Sequence, residues 1–238
     1  MKIKINSKVN LLLVVVALFL NSCAKTYVGK GDAVAVDRVV GKFSAVILSM
    51  DATLYVTDSL EHSCTVNAQQ NIQEAIVTRM DGNTLVITSK GTIVSDSPIT
   101  IYVSMNRAEK FEVNGSGNII GSNTLKNEKM DFEVNGSGRA QMDVVANYIA
   151  CAVTGSGNLD LSGRTNSFDV EINGSGKVSA YGLSALTSKA KVTGSGECYV
   201  TVGEKLKASV TGSGIIKYQG KPEVVESITG SGIVENTN

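Results

Sequence analysis

The chain has 238 residues, with 22 basic and 22 acidic side chains, one histidine, four cysteines, no tryptophan and 5% aromatics. Balanced charge excludes the basic footprint that nucleic-acid binding needs, and a single histidine leaves little for acid–base chemistry. At its amino end Lys2, Lys4 and Lys8 form a basic start, and Leu11 to Leu20 is an unbroken apolar run. Ten apolar residues suit the core of a signal peptide and are too few to span a bilayer.

That run closes on Leu20-Asn21-Ser22-Cys23. The arrangement resembles the lipobox of bacterial lipoproteins, whose cysteine is acylated and becomes the new N-terminus. The resemblance implies a signal peptide over 1–22 and lipid on Cys23. It also implies a tether to residue 38 and a Gram-negative envelope location, at the outer membrane with the side left open. Acyl chains contribute about 0.8 kcal/mol per buried methylene, so several hold a protein firmly on a membrane. Removing residues 1–22 takes three lysines, leaving 19 basic against 22 acidic side chains and a net charge near −3.

From Ala33 to Arg107 the pattern predicts strands over Ala33–Val40, Ser44–Met50, Thr53–Val56, Ala75–Arg79, Thr84–Thr88 and Ile99–Ser104. Asp81-Gly82 is a tight-turn signal between two of them. Only Asn67 to Gln73 reads as irregular or briefly helical. No Pro/Gly/Ser linker follows, so residues 39–238 are expected to form one body.

The rest of the chain is organised by a tripeptide. Gly-Ser-Gly occurs seven times, starting at Gly115, Gly136, Gly155, Gly174, Gly194, Gly212 and Gly230. A fixed period of 18 to 21 residues marks a repeat architecture. Two positions before each first glycine stand Val113, Val134, Val153, Ile172, Val192, Val210 and Ile228, all β-branched. Four positions after it stand Ile119, Ala140, Leu159, Val178, Cys198, Ile216 and Val234. This is period-2 alternation on both sides, hence strand. Thr154, Thr193, Thr211 and Thr229 precede their glycines, and a β-branched residue resists the positive φ of a type I′ hairpin. Each repeat is therefore one turn of a parallel β-helix, an all-β solenoid with repeats over 111–234 and less regular strands before them. Either the alternation runs through the tripeptide, with both glycines inward, or the chain bends there on glycine geometry. Stretches 123–130, 144–150, 163–167, 180–188, 203–207 and 219–225 are expected as connections. Cys64, Cys151 and Cys198 read as small buried hydrophobes, with no bridge expected between the last two.

A lipobox, a strand-rich first half and a ladder of V-[NT]-G-S-G units resemble the bacterial family called the putative auto-transporter adhesin, head GIN domain. The resemblance covers roughly Val39 to Gly232. It implies a pectin-lyase-like β-helix and a role in adhesion at the cell envelope, and it carries over no catalytic residue.

The residues themselves suggest a binding face. Asn114, Asn135, Thr154, Asn173, Thr193, Thr211 and Thr229 stack in one row, and Ser116, Ser137, Ser156, Ser175, Ser195, Ser213 and Ser231 in another. Two rows of short hydroxyl and amide groups on one flat face suit an envelope polymer or a protein sheet. A competing site is the C-terminal edge at Ile233 and Val234, which invites a second copy. No nucleophile–base spacing accompanies the serines. No third ligand stands with His62 and Cys64, so neither a cofactor nor a metal is expected. Glu112, Glu133 and Glu171 share a column that could attract Ca²⁺, but Ala152 and Lys191 interrupt it. Tyr181, Tyr199 and Tyr218 fall near one edge, where a sugar-stacking platform competes with ordinary packing. The expected function is a lipid-anchored, non-catalytic protein presenting a β-helical surface. The alternatives are a polysaccharide-active or acyl-transferring β-helix enzyme, or a structural spacer.

Overall fold

The computed structural model describes residues 25–238, so the signal segment and Cys23 lie outside the described residues. Strands β1 (Thr26–Val28), β2 (Ala33–Arg38), β3 (Ala45–Ser49), β4 (Thr53–Asp58) and β5 (Ser63–Gln69) lead into a 3₁₀ helix, Gln70–Ala75. Next come β6 (Ile76–Asp81), β7 (Thr84–Ser89), β8 (Thr92–Val94) and β9 (Thr100–Met105). The repeats supply β10 (Lys110–Gly115), β11 (Asn118–Gly121), β12 (Leu125–Gly136), β13 (Arg139–Gly155) and β14 (Asn158–Gly174). They continue as β15 (Lys177–Gly194), β16 (Glu197–Gly212), β17 (Ile215–Gln219), β18 (Glu223–Gly230) and β19 (Ile233–Asn236).

From β10 onward every strand pairs in parallel with the coil before it, and all seven first glycines fall opposite one another. The fold is a parallel β-solenoid. The β-branched column forms its core: Val113, Val134, Val153, Ile172, Val192 and Val210 are at most 1% exposed. Ile228, on which no described coil lies, is 42% exposed. Bulk is shared between neighbouring columns. Phe111 stacks on Phe132, with ring centroids 5.8 Å apart, and that column then shrinks to Cys151 and Val170. Where it shrinks, Phe168 fills the adjoining column, fully buried. Trading large against small residues across columns keeps the interior close-packed.

The expected connections at 123–130, 144–150, 163–167, 180–188 and 203–207 are a correction. They are largely strand, hydrogen-bonded to neighbouring coils. The chain bends there without leaving the ladder. Two successive non-buried residues, Asn147-Tyr148 or Asn166-Ser167, replace one and turn the strand by a step. Drift in the period is absorbed by register shifts, at Asp160/Ser162 and again at Ala180/Ser184 and Ala185/Thr187.

The first half contains coils of the same solenoid. β3 pairs with β10 and β4 with β11, which places Met50-Asp51-Ala52 where the repeats carry Gly-Ser-Gly. β7 and β9 continue this below β3 and β4, with Lys90–Ile99 inserted at the corner. All six expected strands form within two residues of their expected ends, and Gly82 takes a positive φ of 56° between β6 and β7. β1, β5 and β8 were not expected. β5 turns antiparallel and joins β2 and β9 in a sheet over the end of the core. The 3₁₀ helix lies beside it, burying Ile72 and Ala75. Buried Gln73 fastens this cap: its Nε2 donates to the Val34 carbonyl at 2.8 Å, and its Oε1 accepts from Arg38 at 2.7 Å.

Candidate functional site

The Gly-Ser-Gly corner is built from backbone alone. Each first glycine has φ between +102° and +126°, a region closed to ordinary side chains. The chain therefore bends there, and of the two readings of the tripeptide the bend is the correct one. From Ser137 onward each Ser N–H at the corner donates to the first glycine carbonyl of the preceding coil at 2.9 Å. The residue after the tripeptide donates to the second glycine carbonyl below at 2.9–3.0 Å. A Cβ on a first glycine, Gly136 onward, would lie 2.4–2.7 Å from that carbonyl oxygen below, while at Gly115 only the positive φ disfavours a side chain. A Cβ on a second glycine, Gly138 onward, would lie 2.3–2.6 Å from a methyl of the buried Val/Ile column. Both glycines are steric requirements of stacking.

This geometry places the predicted site residues. All seven serines are exposed at the corner apex, about 4.8 Å apart along the rod. Among the described residues none of their hydroxyls bonds to another protein group. The Asn/Thr row sits beside them on the approach to the corner, so the two rows form a ridge, which corrects the flat face expected from sequence. At the amino end the row is knitted together: Asn135 Nδ2 donates to Asn114 Oδ1 at 3.1 Å, and Asn114 Nδ2 donates to Ser49 Oγ at 3.3 Å.

Beside the ridge lies a charged face. Ala150 and Ala152 form the floor of a groove of about 540 Å³, flanked by Asp131, Glu133, Asp169 and Glu171. Lysines of the same or a neighbouring strand neutralise these carboxylates and Glu112, with Lys189 beside Asp169 at 3.5 Å. Lys110 reaches Glu112 at 2.9 Å and Glu133 at 3.0 Å, Lys129 reaches Asp131 at 3.0 Å, and Lys191 reaches Glu171 at 2.8 Å. Partial burial would raise the Glu112 carboxyl, but hydrogen bonds from Lys110 and Asn114 hold it below its ordinary value. The Lys191 contact does the same for Glu171. A carboxylate column already neutralised by ammonium groups offers little to a hard cation.

His62 is a clasp. Its Nδ1 accepts from the Phe43 N–H at 3.3 Å, which leaves Nε2 to donate to Asn106 Oδ1 at 3.1 Å. Cys64 points into the core, where burial pushes its thiol up to about 11. Burial likewise pushes Cys198 up to about 12 and Cys151 well above the usual thiol value. All three are free and remain thiols at neutral pH. Of the two readings of the tyrosines, ordinary packing describes them. Tyr181 and Tyr199 meet edge to face at 74°, and Tyr218 packs on the core. A parallel tyrosine pair is formed by Tyr55 on Tyr102, 5.6 Å apart, which aligning the two unmarked coils would have revealed. At the last described coil Val225, Ile228 and Ile233 are exposed, while Glu226 takes the inward column opposite Ala208. Stacking a second copy there would bury that carboxylate, a device that guards strand edges.

Residues 42–222 match the family described as putative auto-transporter adhesin, head GIN domain. The chain belongs to this family. No protein of curated function matches it. Among solved structures, a putative adhesin from Bacteroides fragilis superposes with a TM-score of 0.84 at 22% identity, covering 89% of this chain and 100% of that one. A putative lipid binding protein from Parabacteroides distasonis gives 0.73 at 21% identity, over 90% of this chain and 100% of that one. A putative adhesin from the same species gives 0.72 at 23% identity with the same coverage. At these identities the structural likeness carries the head GIN fold.

Proposed function

We propose that this head GIN domain is a non-catalytic adhesion module. Lipid on Cys23 holds it at the bacterial envelope, and its serine ridge meets a repetitive polymer or protein surface. The observation that carries this reading is the row of seven exposed hydroxyls, at coil spacing, with no partners among the described residues. Such a row makes many weak hydrogen bonds in register with a repetitive ligand, whereas a small molecule prefers a concave apolar pocket. The family and the adhesin names of its structural neighbours support the role and the envelope location.

The test uses envelope fractions and the full chain. Replacing Ser137, Ser156 and Ser175 together with Ala keeps every backbone contact of the corner and is expected to weaken binding. Lysines at Asn135, Thr154 and Asn173 should block it. Unchanged binding by both folded variants would refute the ridge. Separately, Cys23→Ala should abolish acyl labelling and release the protein from membranes. Labelling that persists would end the anchor assignment.

A further inference from the structure

A second groove, of about 810 Å³, crosses β12 to β15 at the bend opened by Asn147. Its cations are Arg107, Lys126 and Arg164. None of the three makes an ion pair among the described residues, although eight other basic side chains do. Lys126, Val145 and Arg164 are successive partners across three strands, so the two cations stand roughly 10 Å apart with an apolar step between them. Arg107 has φ 50° and is the one non-glycine residue with positive φ among those described. The single carboxylate lining the groove, Glu128, is engaged by the Asn147 amide. Asn166 Nδ2 in turn donates to Asn147 Oδ1 at 3.3 Å, carrying a line of amides along the groove. Leu186, 47% exposed, stands at the rim.

Three uncompensated cations against one carboxylate select an anion. Their spread over several coils selects an extended one. The amides and the two aliphatic side chains suit hydroxyls and the apolar face of a sugar ring, whereas one exposed leucine is a poor insertion into lipid. We propose that this groove seats a segment of an anionic polysaccharide. Lys126 and Arg164 take acidic groups about a disaccharide apart, Arg107 takes a third, and Val145 lies under the ring between them. The proposal shares with the adhesion reading only the need for a polymeric ligand, since it uses a different surface.

The test measures binding of the full chain, purified in detergent, to polygalacturonate, with neutral dextran and phosphatidylglycerol vesicles as comparisons. Polygalacturonate should bind and dextran should not, and the affinity should fall as salt screens the contacts. Lys126→Glu with Arg164→Glu should weaken binding by at least about tenfold at an unchanged melting temperature. Arg107→Gly, which suits the left-handed backbone while removing the charge, should weaken it by a smaller factor. The variant lacking Ser137, Ser156 and Ser175 hydroxyls should bind polygalacturonate like the parent, so a failed ridge and a failed groove give different results. The proposal is overturned by an absence of polygalacturonate binding, by a folded charge-reversed pair that binds normally, or by preference for the vesicles.

Discussion

Gly174→Ala isolates what the corner demands of the chain. The residue has φ +126°, and a Cβ there would sit 2.5 Å from the Gly155 carbonyl oxygen. Holding alanine in that backbone region costs on the order of 1–3 kcal/mol. Forcing a methyl group against fixed backbone costs about as much again, because the oxygen is already pinned by the Ser175 N–H at 2.9 Å. The sum, roughly 2–6 kcal/mol, is a large share of the 5–15 kcal/mol by which a domain is stable. For a chain of this size each kcal/mol moves the melting temperature by about 2–4 °C, so the expected drop is roughly 4–24 °C. Ser175→Ala is the matched control. Its side chain is exposed and unbonded, and such changes stay within about 0.5 kcal/mol. Urea unfolding followed by far-ultraviolet circular dichroism reads both variants. If Gly174→Ala unfolds at the parental midpoint, the corner is not sterically closed and the reason given for its glycines is wrong.

Val153→Asp places an unpaired carboxylate in a fully buried column and should leave the protein unfolded at room temperature, as judged by circular dichroism and proteolysis. Acid should act through the lysine-neutralised face. Glu112 and Glu171 are each held below the ordinary 4.5 in the folded state, so their stabilisation is complete above that value and disappears as pH falls through their folded values. A melting temperature that is level near neutrality and falls below about pH 4.5 is expected. A profile flat down to pH 3 would contradict it.

The repeats were legible because their signal is redundant. One β-branched column repeated seven times fixes strand, register and inward face together, and the structure buries six of its members. The coils before Lys110 follow the same register, yet Met50-Asp51-Ala52 carries no glycine to announce the corner. That corner lies next to the coil with the Lys90–Ile99 insertion, so its packing demands differ from those of the stacked repeats. The bends near Asn147 and Asn166 were read as connections because polar residues at two successive positions break the alternation. The backbone hydrogen bonds that continue through them leave no trace in side-chain pattern. The antiparallel cap was hidden for a similar reason, since β5 mixes small and polar residues and owes its place to β2 and β9. Among the site residues, the serine row is exposed as continued alternation implied, but through a bend at the first glycine that the alternation does not contain. The ridge shape did not follow from the alternation, because it depends on φ at the glycines.

The corner separates what folding requires from what it permits. Its two glycines are dictated by φ and by atoms within 2.7 Å, so their repetition needs no further cause. The residue between them is under no such constraint. Its N–H is used by the ladder, but its side chain is exposed and touches no polar protein group, and any small polar residue would satisfy the backbone equally. Seven serines at that apex are thus more uniform than stability demands, whereas the neighbouring position alternates freely between Asn and Thr. Uniformity that packing does not explain belongs to the surface. A row of identical hydroxyls at coil spacing matches a ligand with the same repeat, and this is the physical basis for proposing that adhesion uses the ridge.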